Sequence, residues 1–150
     1  KMKYTIEEIV PKKIAYLRRT GPYGAENHKL MQELKKWAMS KSIFKNSIIY
    51  GIAQDGMDTP PEKCRYDVCI VVEDESILDN NVMVGKLQGG KYATFTINHT
   101  AEDVQKFWQS VFEILKENNI QCDFSKPILE RYKENLVSNG KCEFCVPLVN

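Results

Sequence analysis

Long apolar runs are missing from this chain of 150 residues. A helix that crosses a bilayer needs roughly 20 consecutive apolar residues, and no stretch approaches that length. The first residues also lack the basic-then-apolar order of a secretory signal. These absences argue against a membrane protein and a secreted protein, and they predict a cytoplasmic location. The length fits a single domain, residues 1–150, with enough chain for a hydrophobic core.

An excess of charge of one sign is missing as well, since 21 basic and 20 acidic residues leave a net charge of +1. Proteins that bind nucleic acid directly usually carry a basic excess on one face, because they neutralise phosphates. The pairs Lys12-Lys13 and Arg18-Arg19 lack the helical context of a reading motif. We interpret them as solvated positions and expect no direct binding to nucleic acid.

Histidine is scarce, and the cysteines do not form a metal motif. His28 and His99 stand alone, and the five cysteines form an odd set. Cys142 and Cys145 have C-x-x-C spacing, but in a β-like run residues three apart face opposite sides of the sheet. Two thiolates on opposite faces cannot share a tetrahedral zinc ion. We therefore expect neither a metal nor another cofactor, and we interpret the cysteines as small, mostly buried hydrophobes.

Apolar periodicity predicts a mixed α+β fold with two main helices. Apolar residues at three- and four-residue steps indicate amphipathic helices over Ala25–Ser40 and Ala101–Glu117, the second capped by Thr100. Asn139-Gly140 indicates a hairpin turn. Segments rich in β-formers predict further strands. The first is broken once by Pro11, since proline suits a strand edge or a bulge. The predicted strands are Met2–Thr20, Ile43–Ala53, Arg65–Glu73, Val82–Leu87 continuing through a glycine kink at Gly89-Gly90 into Gly90–Ile97, Ile128–Leu136 and Cys142–Val149.

The order strand–helix–strand–strand occurs twice, which predicts an internal duplication. The two units cover about residues 2–73 and 82–150. Lys13-Ile-Ala15 in the first unit corresponds to Lys91-Tyr-Ala93 in the second, and each predicted helix contains one tryptophan. The matching order of elements carries more weight than these short echoes.

Several short motifs, which keep their order over nearly the whole chain, resemble those of a known family: Gly21-Pro-Tyr-Gly24, Tyr50-Gly-Ile52, Pro60-Pro-Glu-Lys-Cys-Arg-Tyr-Asp67, Gly89-Gly-Lys-Tyr-Ala93 and Pro127-Ile-Leu-Glu-Arg-Tyr132. The chain resembles the GyrI-like small-molecule-binding family. That family includes effector-binding domains of AraC- and MerR-type transcription regulators as well as stand-alone proteins. The resemblance implies a pair of SHS2-like β-α-β-β units, with an antiparallel sheet and two main helices around a central pocket. The helix-turn-helix of the regulator members has no counterpart in this chain.

A carboxylate among aromatic residues is the candidate ligand site. Alternation along the predicted strand places Ile128, Glu130 and Tyr132 on one face. Alternation alone favours a solvent-facing or arginine-paired Glu130, because glutamate is almost never buried without a partner. The resemblance implies instead that Glu130 is the pocket carboxylate. Such a site suits an amphipathic, cationic small molecule, because a poorly solvated carboxylate gains a counter-charge and aromatic faces attract cations.

The expected walls of this pocket are aromatic. For the two tryptophans and Phe112, plain core packing is an equally good interpretation, because their helical spacing already demands burial. Two nearby acids, Asp67 and Glu143, are expected to face outward. The candidate wall residues are Tyr50, Tyr66, Trp108, Phe112, Tyr132 and Trp37, together with Met57.

Two further functions stay open beside small-molecule binding. Some GyrI-like proteins resemble hydrolases that open electrophilic cyclopropane compounds, and Glu130 could act there as a general base. No Ser–His–Asp or Cys–His set is recognisable in the sequence, so no catalytic residue is assigned and the question of an enzyme stays open. Gyrase-inhibiting relatives imply a protein partner, although nothing in the sequence marks a surface for one.

Overall fold

The computed structural model describes residues 2–150 and confirms both main helices. Helix α1 spans Ala25–Ser40 and helix α2 spans Ala101–Glu117, the limits that apolar spacing predicts. Thr100 caps α2 as expected, because its side-chain oxygen accepts a hydrogen bond from the backbone N–H of Asp103 at 3.2 Å. Within the described residues, no helix is both long enough and apolar enough to cross a membrane.

Strands make up most of the remaining regular structure. A single helical turn, α3, covers Glu134–Val137, and two short 3-10 turns cover Pro61–Lys63 and Glu75–Ile77. The strands found within residues 2–150 are β1 Tyr4–Ile9, β2 Lys12–Thr20, β3 Ile48–Ala53, β4 Arg65–Val71, β5 Met83–Leu87, β6 Gly90–Asn98, β7 Leu129–Lys133 and β8 Lys141–Pro147.

Two predicted long strands are each divided in the structure. The first becomes β1 and β2, and the second becomes β5 and β6. β1 pairs with β6, and β5 pairs with β2, so neighbours in sequence separate in space. Pro11 interrupts the first strand because it has no N–H to donate to a ladder. A Cβ atom at Gly89 would lie 2.3 Å from the carbonyl oxygen of Ile9, so only glycine fits where the two connections touch.

Two other predicted strands differ at their ends. β3 begins at Ile48, later than predicted, because Ser42 and Asn46 before it have φ angles of 59° and 62°. Such positive values break an extended conformation. β7 ends at Lys133, earlier than predicted, because the chain turns into α3. The predicted hairpin turn therefore follows a helical turn, and Gly140 with φ of 74° leads into β8.

The strands form one antiparallel sheet in the order β1-β6-β8-β7-β3-β4-β2-β5. Strands β7 and β3 pair at its centre, and corresponding strands of the two predicted units follow outward on the two sides. The first strand of each predicted unit is the exception. β1 of the first unit lies at the edge beside β6 of the second, and β5 of the second unit lies at the other edge beside β2 of the first. The mixed α+β class, with an antiparallel sheet and two main helices, is confirmed. The domain limits 1–150 and the repeat limits stay predictions.

The sheet separates two layers of hydrophobic core. Helices α1 and α2 pack on one side, the helix face, over two apolar clusters that share Tyr132. The other side, the inner face, carries a third cluster to which every strand contributes: Ile9, Ile14, Tyr50, Ile52, Cys69, Leu87, Tyr92, Leu129 and Cys145. Residues from both edge strands meet in this cluster, so the sheet curls around it. Cys142 packs on the helix face and Cys145 on the inner face, which confirms their predicted opposite orientation.

Candidate functional site

Glu130 lies near the centre of the sheet, on the helix face. In β7 it stands opposite Gly51 of β3 and Phe144 of β8. Its side chain is partly buried and reaches two tyrosines, Tyr66 and Tyr132, that belong to the helix-face clusters. The carboxylate is therefore held at the boundary between the α1 and α2 cores.

Two tyrosine hydroxyls donate hydrogen bonds to the same carboxylate oxygen. The distance to Glu130 Oε1 is 2.8 Å from the Tyr66 hydroxyl and 3.0 Å from the Tyr132 hydroxyl. No ion pair joins Glu130 to a lysine, arginine or histidine among residues 2–150. The alternative of an arginine-paired glutamate thus does not describe this residue. The negative charge is stabilised by neutral donors alone.

Gly51 makes this arrangement possible. A Cβ atom at position 51 would lie 2.2 Å from the Tyr66 hydroxyl oxygen and 2.6 Å from Glu130 Oε1. Both distances are far below contact, so any side chain there would displace the hydrogen bond. A glycine inside a strand often marks such a close approach. That signal is present in Tyr50-Gly-Ile52, but the sequence alone does not say which atoms approach.

Burial shifts the proton equilibria of all three groups in the same direction. The pKa of Glu130 is raised above its ordinary value because burial disfavours the charged carboxylate, although the two tyrosine hydroxyls oppose that shift. The pKa values of Tyr66 and Tyr132 are raised by burial and by the Glu130 charge. Both phenols therefore stay protonated at neutral pH and remain hydrogen-bond donors.

A cavity of about 250 Å³ lies beside this cluster, between α1, α3 and the sheet. Tyr66 and Tyr132 form part of its wall, whereas Glu130 lies behind them. The cavity therefore meets the faces and edges of two tyrosine rings before it meets the carboxylate. The apolar part of the wall includes Met31, Phe44 and Ile49, and the ionisable lining includes His28, Lys35, His99 and Glu134.

Ser47 lines the same cavity and holds a buried polar atom. The residue is 9% exposed, and its hydroxyl oxygen has no hydrogen-bond partner among residues 2–150. A buried hydroxyl without a partner is costly, and most such groups in proteins are paired. Sequence reasoning missed Ser47, because a serine between a turn and a strand carries no sign of burial.

Only some of the predicted wall residues meet at this site. Tyr66 and Tyr132 do, and both contact Glu130. Tyr50 lies on the inner face, near Arg131, because it alternates with Gly51 along β3. Burial raises the pKa of Tyr50 as well, with the arginine opposing that shift.

The remaining predicted residues lie away from the cavity. Trp37 is buried in the α1 core and donates from Nε1 to Asp79 Oδ1 at 3.1 Å. Trp108 is 44% exposed and packs edge-on against Phe144. The others are Phe112, which is 41% exposed and contacts Phe124, and Met57, which is exposed in a loop.

Two acids expected to face outward are buried, so that prediction was wrong. Asp67 accepts two hydrogen bonds from Arg18, at 2.6 and 2.8 Å. Glu143 accepts two from Arg131, both at 2.9 Å. Each acid points to the inner face and is paired by an arginine from a neighbouring strand. Asp67 and Arg18 are 49 positions apart and Glu143 and Arg131 are 12 apart, and local alternation reveals neither pairing.

This fold and this cavity define a small-molecule-binding domain, and comparison with known proteins identifies its family. The chain belongs to the GyrI-like family, since the model of the GyrI-like small molecule binding domain matches residues 2–149. A SPbeta prophage-derived protein of Bacillus subtilis, YosT, is 44% identical over 98% of this chain and 99% of its own length. Its name assigns it provisionally to the transcriptional regulators.

More distant relatives share the fold. A DNA gyrase inhibitor of Salmonella typhimurium is 29% identical over 93% of this chain and 92% of its own length. Among solved structures, the EcmrR C-terminal domain has a TM-score of 0.75 at 12% identity, covering 99% of this chain and 98% of that one. SAV2435 bound to tetraphenylphosphonium has a TM-score of 0.67 at 16% identity, covering 99% and 95%. At these identities the structural likeness establishes the fold.

Proposed function

We propose that this protein binds amphipathic organic cations in the cavity beside Glu130 and acts as a ligand-sensing domain that does not itself read DNA. The observation that carries the proposal is the state of Glu130. It is a carboxylate whose pKa is raised by burial and which receives two tyrosine hydroxyls but no cationic partner within residues 2–150. A charge held in this way is stabilised further by any cation that can reach its surroundings.

The tyrosines give the cavity a surface that suits such a cation. Tyr66 and Tyr132 present aromatic rings to the cavity, and a cation over a tyrosine ring gains roughly 0.5–2 kcal/mol. The hydroxyls of both tyrosines donate to Glu130. The electron-rich rings and the carboxylate therefore lie next to each other, and both attract a cation. Lys35 opposes this field, and Glu134 on the same lining offsets Lys35.

The contribution of Glu130 can be bounded by Coulomb's law. For a ligand charge about 6 Å from the carboxylate, at an effective dielectric of about 20–40, the attraction is about 1.4–2.8 kcal/mol. That energy corresponds to a tenfold to hundredfold change in Kd, at roughly 1.4 kcal/mol per factor of ten. Apolar contacts with residues such as Met31 and Phe44 add affinity that does not depend on charge.

Tetraphenylphosphonium, a lipophilic cation without hydrogen-bonding groups, tests the proposal by calorimetric titration. We expect Glu130→Gln to weaken its binding tenfold to hundredfold. Glu33→Gln is a matched control, because Glu33 is an exposed acid on α1 and its replacement changes the net charge equally. Equal affinities for the Glu130 and Glu33 variants would overturn the assignment of the carboxylate.

Two alternative functions, hydrolysis of cyclopropane compounds and binding to gyrase, can each be distinguished from small-molecule binding by experiment. Hydrolysis predicts more than one equivalent of ring-opened product per protein from an electrophilic cyclopropane compound, whereas binding predicts none. The 29% identical relative named as a DNA gyrase inhibitor motivates a supercoiling assay with purified gyrase. Unchanged supercoiling at saturating protein favours the small-molecule proposal over a gyrase-directed role.

A further inference from the structure

A second cavity, of about 390 Å³, opens on the inner face of the sheet. Small-molecule sites in proteins have volumes of about 300–1,000 Å³, so this cavity is large enough for one. We call it the inner cavity. It lies on the opposite side of the sheet from Glu130, because Leu129 and Ile52 line it, whereas Glu130 and Gly51 face the helices.

The floor of the inner cavity is apolar. Tyr16 packs against Gly85 on the neighbouring strand, where a Cβ atom would come within 3.0 Å of the tyrosine ring. The next residue, Lys86, directs its side chain to the other face of β5, because Gly85 and Leu87 on either side of it face the cavity. The floor residues belong to the inner-face core and include Ile14, Ile52, Leu87 and Leu129.

The charges around the inner cavity balance one another. Arg18 forms an ion pair with Asp67, with a distance of 2.6 Å between Nε and Oδ1. Lys126, at the rim, lies near Asp123, whose pKa is lowered by hydrogen bonds from Ser125 and also by this lysine. No net charge is left over from these pairs, so the inner cavity favours neither anions nor cations.

Asp67 organises the polar end of the inner cavity. It is 4% exposed, and its two oxygens accept hydrogen bonds from Arg18 at 2.6 and 2.8 Å. Oδ2 also accepts one from Nε2 of Gln54 at 2.9 Å. Because a carboxylate only accepts hydrogen bonds, the NH₂ group of Gln54 must face Asp67 and its Oε1 atom is turned away. Within residues 2–150, no group donates to that oxygen.

Arg18 supplies donors beside this acceptor. Its Nε and Nη2 atoms hold Asp67, so the two hydrogens of Nη1 have no partner in the described part of the chain. The guanidinium group and the Gln54 amide are neighbours, because both donate to Oδ2 of Asp67. One buried carboxylate therefore fixes a free donor and a free acceptor next to each other, at the end of an apolar cavity.

We propose that the inner cavity is a second ligand site, specific for neutral amphipathic molecules that carry a lactam or primary amide group. The carbonyl oxygen of such a group accepts from Nη1 of Arg18, and its N–H donates to Oε1 of Gln54. The apolar body of the molecule covers the floor. An ionic ligand is disfavoured, because it would lose its hydration without gaining an unpaired counter-charge.

Binding of 2-quinolone, a neutral bicyclic lactam, tests the proposal by NMR titration of the isotope-labelled protein. We expect saturable shifts at Gln88 and Ser125, which line the inner cavity, and none at Gln32 and Lys35, which line the cavity beside Glu130. N-methyl-2-quinolone keeps the carbonyl group but lacks the N–H. It should bind about threefold to tenfold more weakly, which is the loss expected for one neutral hydrogen bond.

Gln54→Met removes the proposed acceptor. We expect it to weaken the binding of 2-quinolone about threefold to tenfold and to leave the affinity for N-methyl-2-quinolone unchanged. A change in the shape of the cavity would instead weaken both compounds. Gln32→Met is the matched control, because it removes an exposed amide that lines the other cavity. Thermal unfolding of both variants verifies that the fold is retained.

The outcomes that would overturn the inner site are distinct from those for the cation site. Absence of saturable shifts at the inner cavity, or displacement of 2-quinolone by tetraphenylphosphonium, would refute a second site. An equal loss of affinity for the two quinolones in Gln54→Met, or the same loss in Gln32→Met, would refute the role of the Gln54 amide. None of these results bears on the cation site, whose own test is the Glu130 variant.

Discussion

The close packing of Gly51 against Tyr66 and Glu130 leads to a strong prediction for Gly51→Ala. The new methyl group would start 2.2 Å from the Tyr66 hydroxyl oxygen and 2.6 Å from Glu130 Oε1. Normal contact requires the hydroxyl to move by about 1.2 Å, given that ordinary van der Waals contact begins near 3.4 Å. Such a shift takes the 2.8 Å hydrogen bond beyond bonding distance.

The expected loss of stability follows from three contributions. Overpacking a core costs about 1–3 kcal/mol, and a hydrogen bond to a charged group is worth about 1.5–3 kcal/mol. Replacing glycine in a strand returns about 0.5–1 kcal/mol. We expect a net destabilisation of about 2–5 kcal/mol, which lowers the Tm of a protein of this size by about 5–20 °C.

Urea unfolding of a small set of variants measures this effect. Gly56→Ala is the control, because a Cβ atom at Gly56 meets nothing within 4 Å. Tyr66→Phe removes the atom that the methyl group would strike first, so the double variant Gly51→Ala/Tyr66→Phe should be more stable than the two single losses predict. Stability of Gly51→Ala within about 0.5 kcal/mol of the parent, with additive single effects, would show that the carboxylate–tyrosine cluster does not depend on this glycine.

Other predictions concern stability at separate places. Arg131→Met leaves buried Glu143 with Lys133 Nζ at 3.4 Å as its remaining cation and removes the 2.7 Å pair with Glu7, and it should cost about 3–5 kcal/mol in urea unfolding; a loss below about 1 kcal/mol would refute the buried pair. Thr100→Ala removes the α2 cap and should lower the unfolding free energy by about 1 kcal/mol, and no change would speak against the cap. Ser47→Ala should not destabilise the protein, because its hydroxyl has no partner within residues 2–150; a calorimetric loss above about 1 kcal/mol would reveal one.

The helices could be predicted because their determinants are local. Apolar spacing and a capping residue lie within a few positions of each other, so Ala101–Glu117 could be delimited without knowing its neighbours. The strand pairings could not, because β1 finds its partner β6 across most of the chain. Pro11 and Gly89 indicated that two long strands are interrupted. They did not indicate that the two parts of each strand pair with different neighbours.

The candidate site shows the same division between local and distant information. Alternation placed Glu130 and Tyr132 on one face, and the structure shows them hydrogen-bonded. The second donor, Tyr66, comes from another strand, and the space between them depends on Gly51. The family resemblance predicted that Glu130 is a pocket carboxylate, whereas its local sequence favoured a solvent-facing or arginine-paired residue. By contrast, the outward orientation predicted for Asp67 failed because its arginine partner lies on a strand far away in sequence.

The central claim is that ionised Glu130 attracts a cationic ligand into the cavity. The pKa of Glu130 is raised, so lowering the pH from 8 toward its ordinary range near 4.5 should neutralise it progressively and weaken cation binding. Tetraphenylphosphonium keeps its charge throughout, so only the protein titrates. The other cavity-lining side chains, among them His28, His99 and Glu134, are identical in the parent and Glu130→Gln proteins, so the comparison isolates Glu130.

The most direct measurement is therefore the Kd of tetraphenylphosphonium as a function of pH for the parent and for Glu130→Gln. We predict that the parent binds tenfold to hundredfold more tightly at pH 8 and that this advantage disappears as the pH falls through the raised pKa of Glu130. Parallel curves, with the same affinity ratio at every pH, would contradict the claim, because they would mean that the ionisation of Glu130 does not contribute to cation binding.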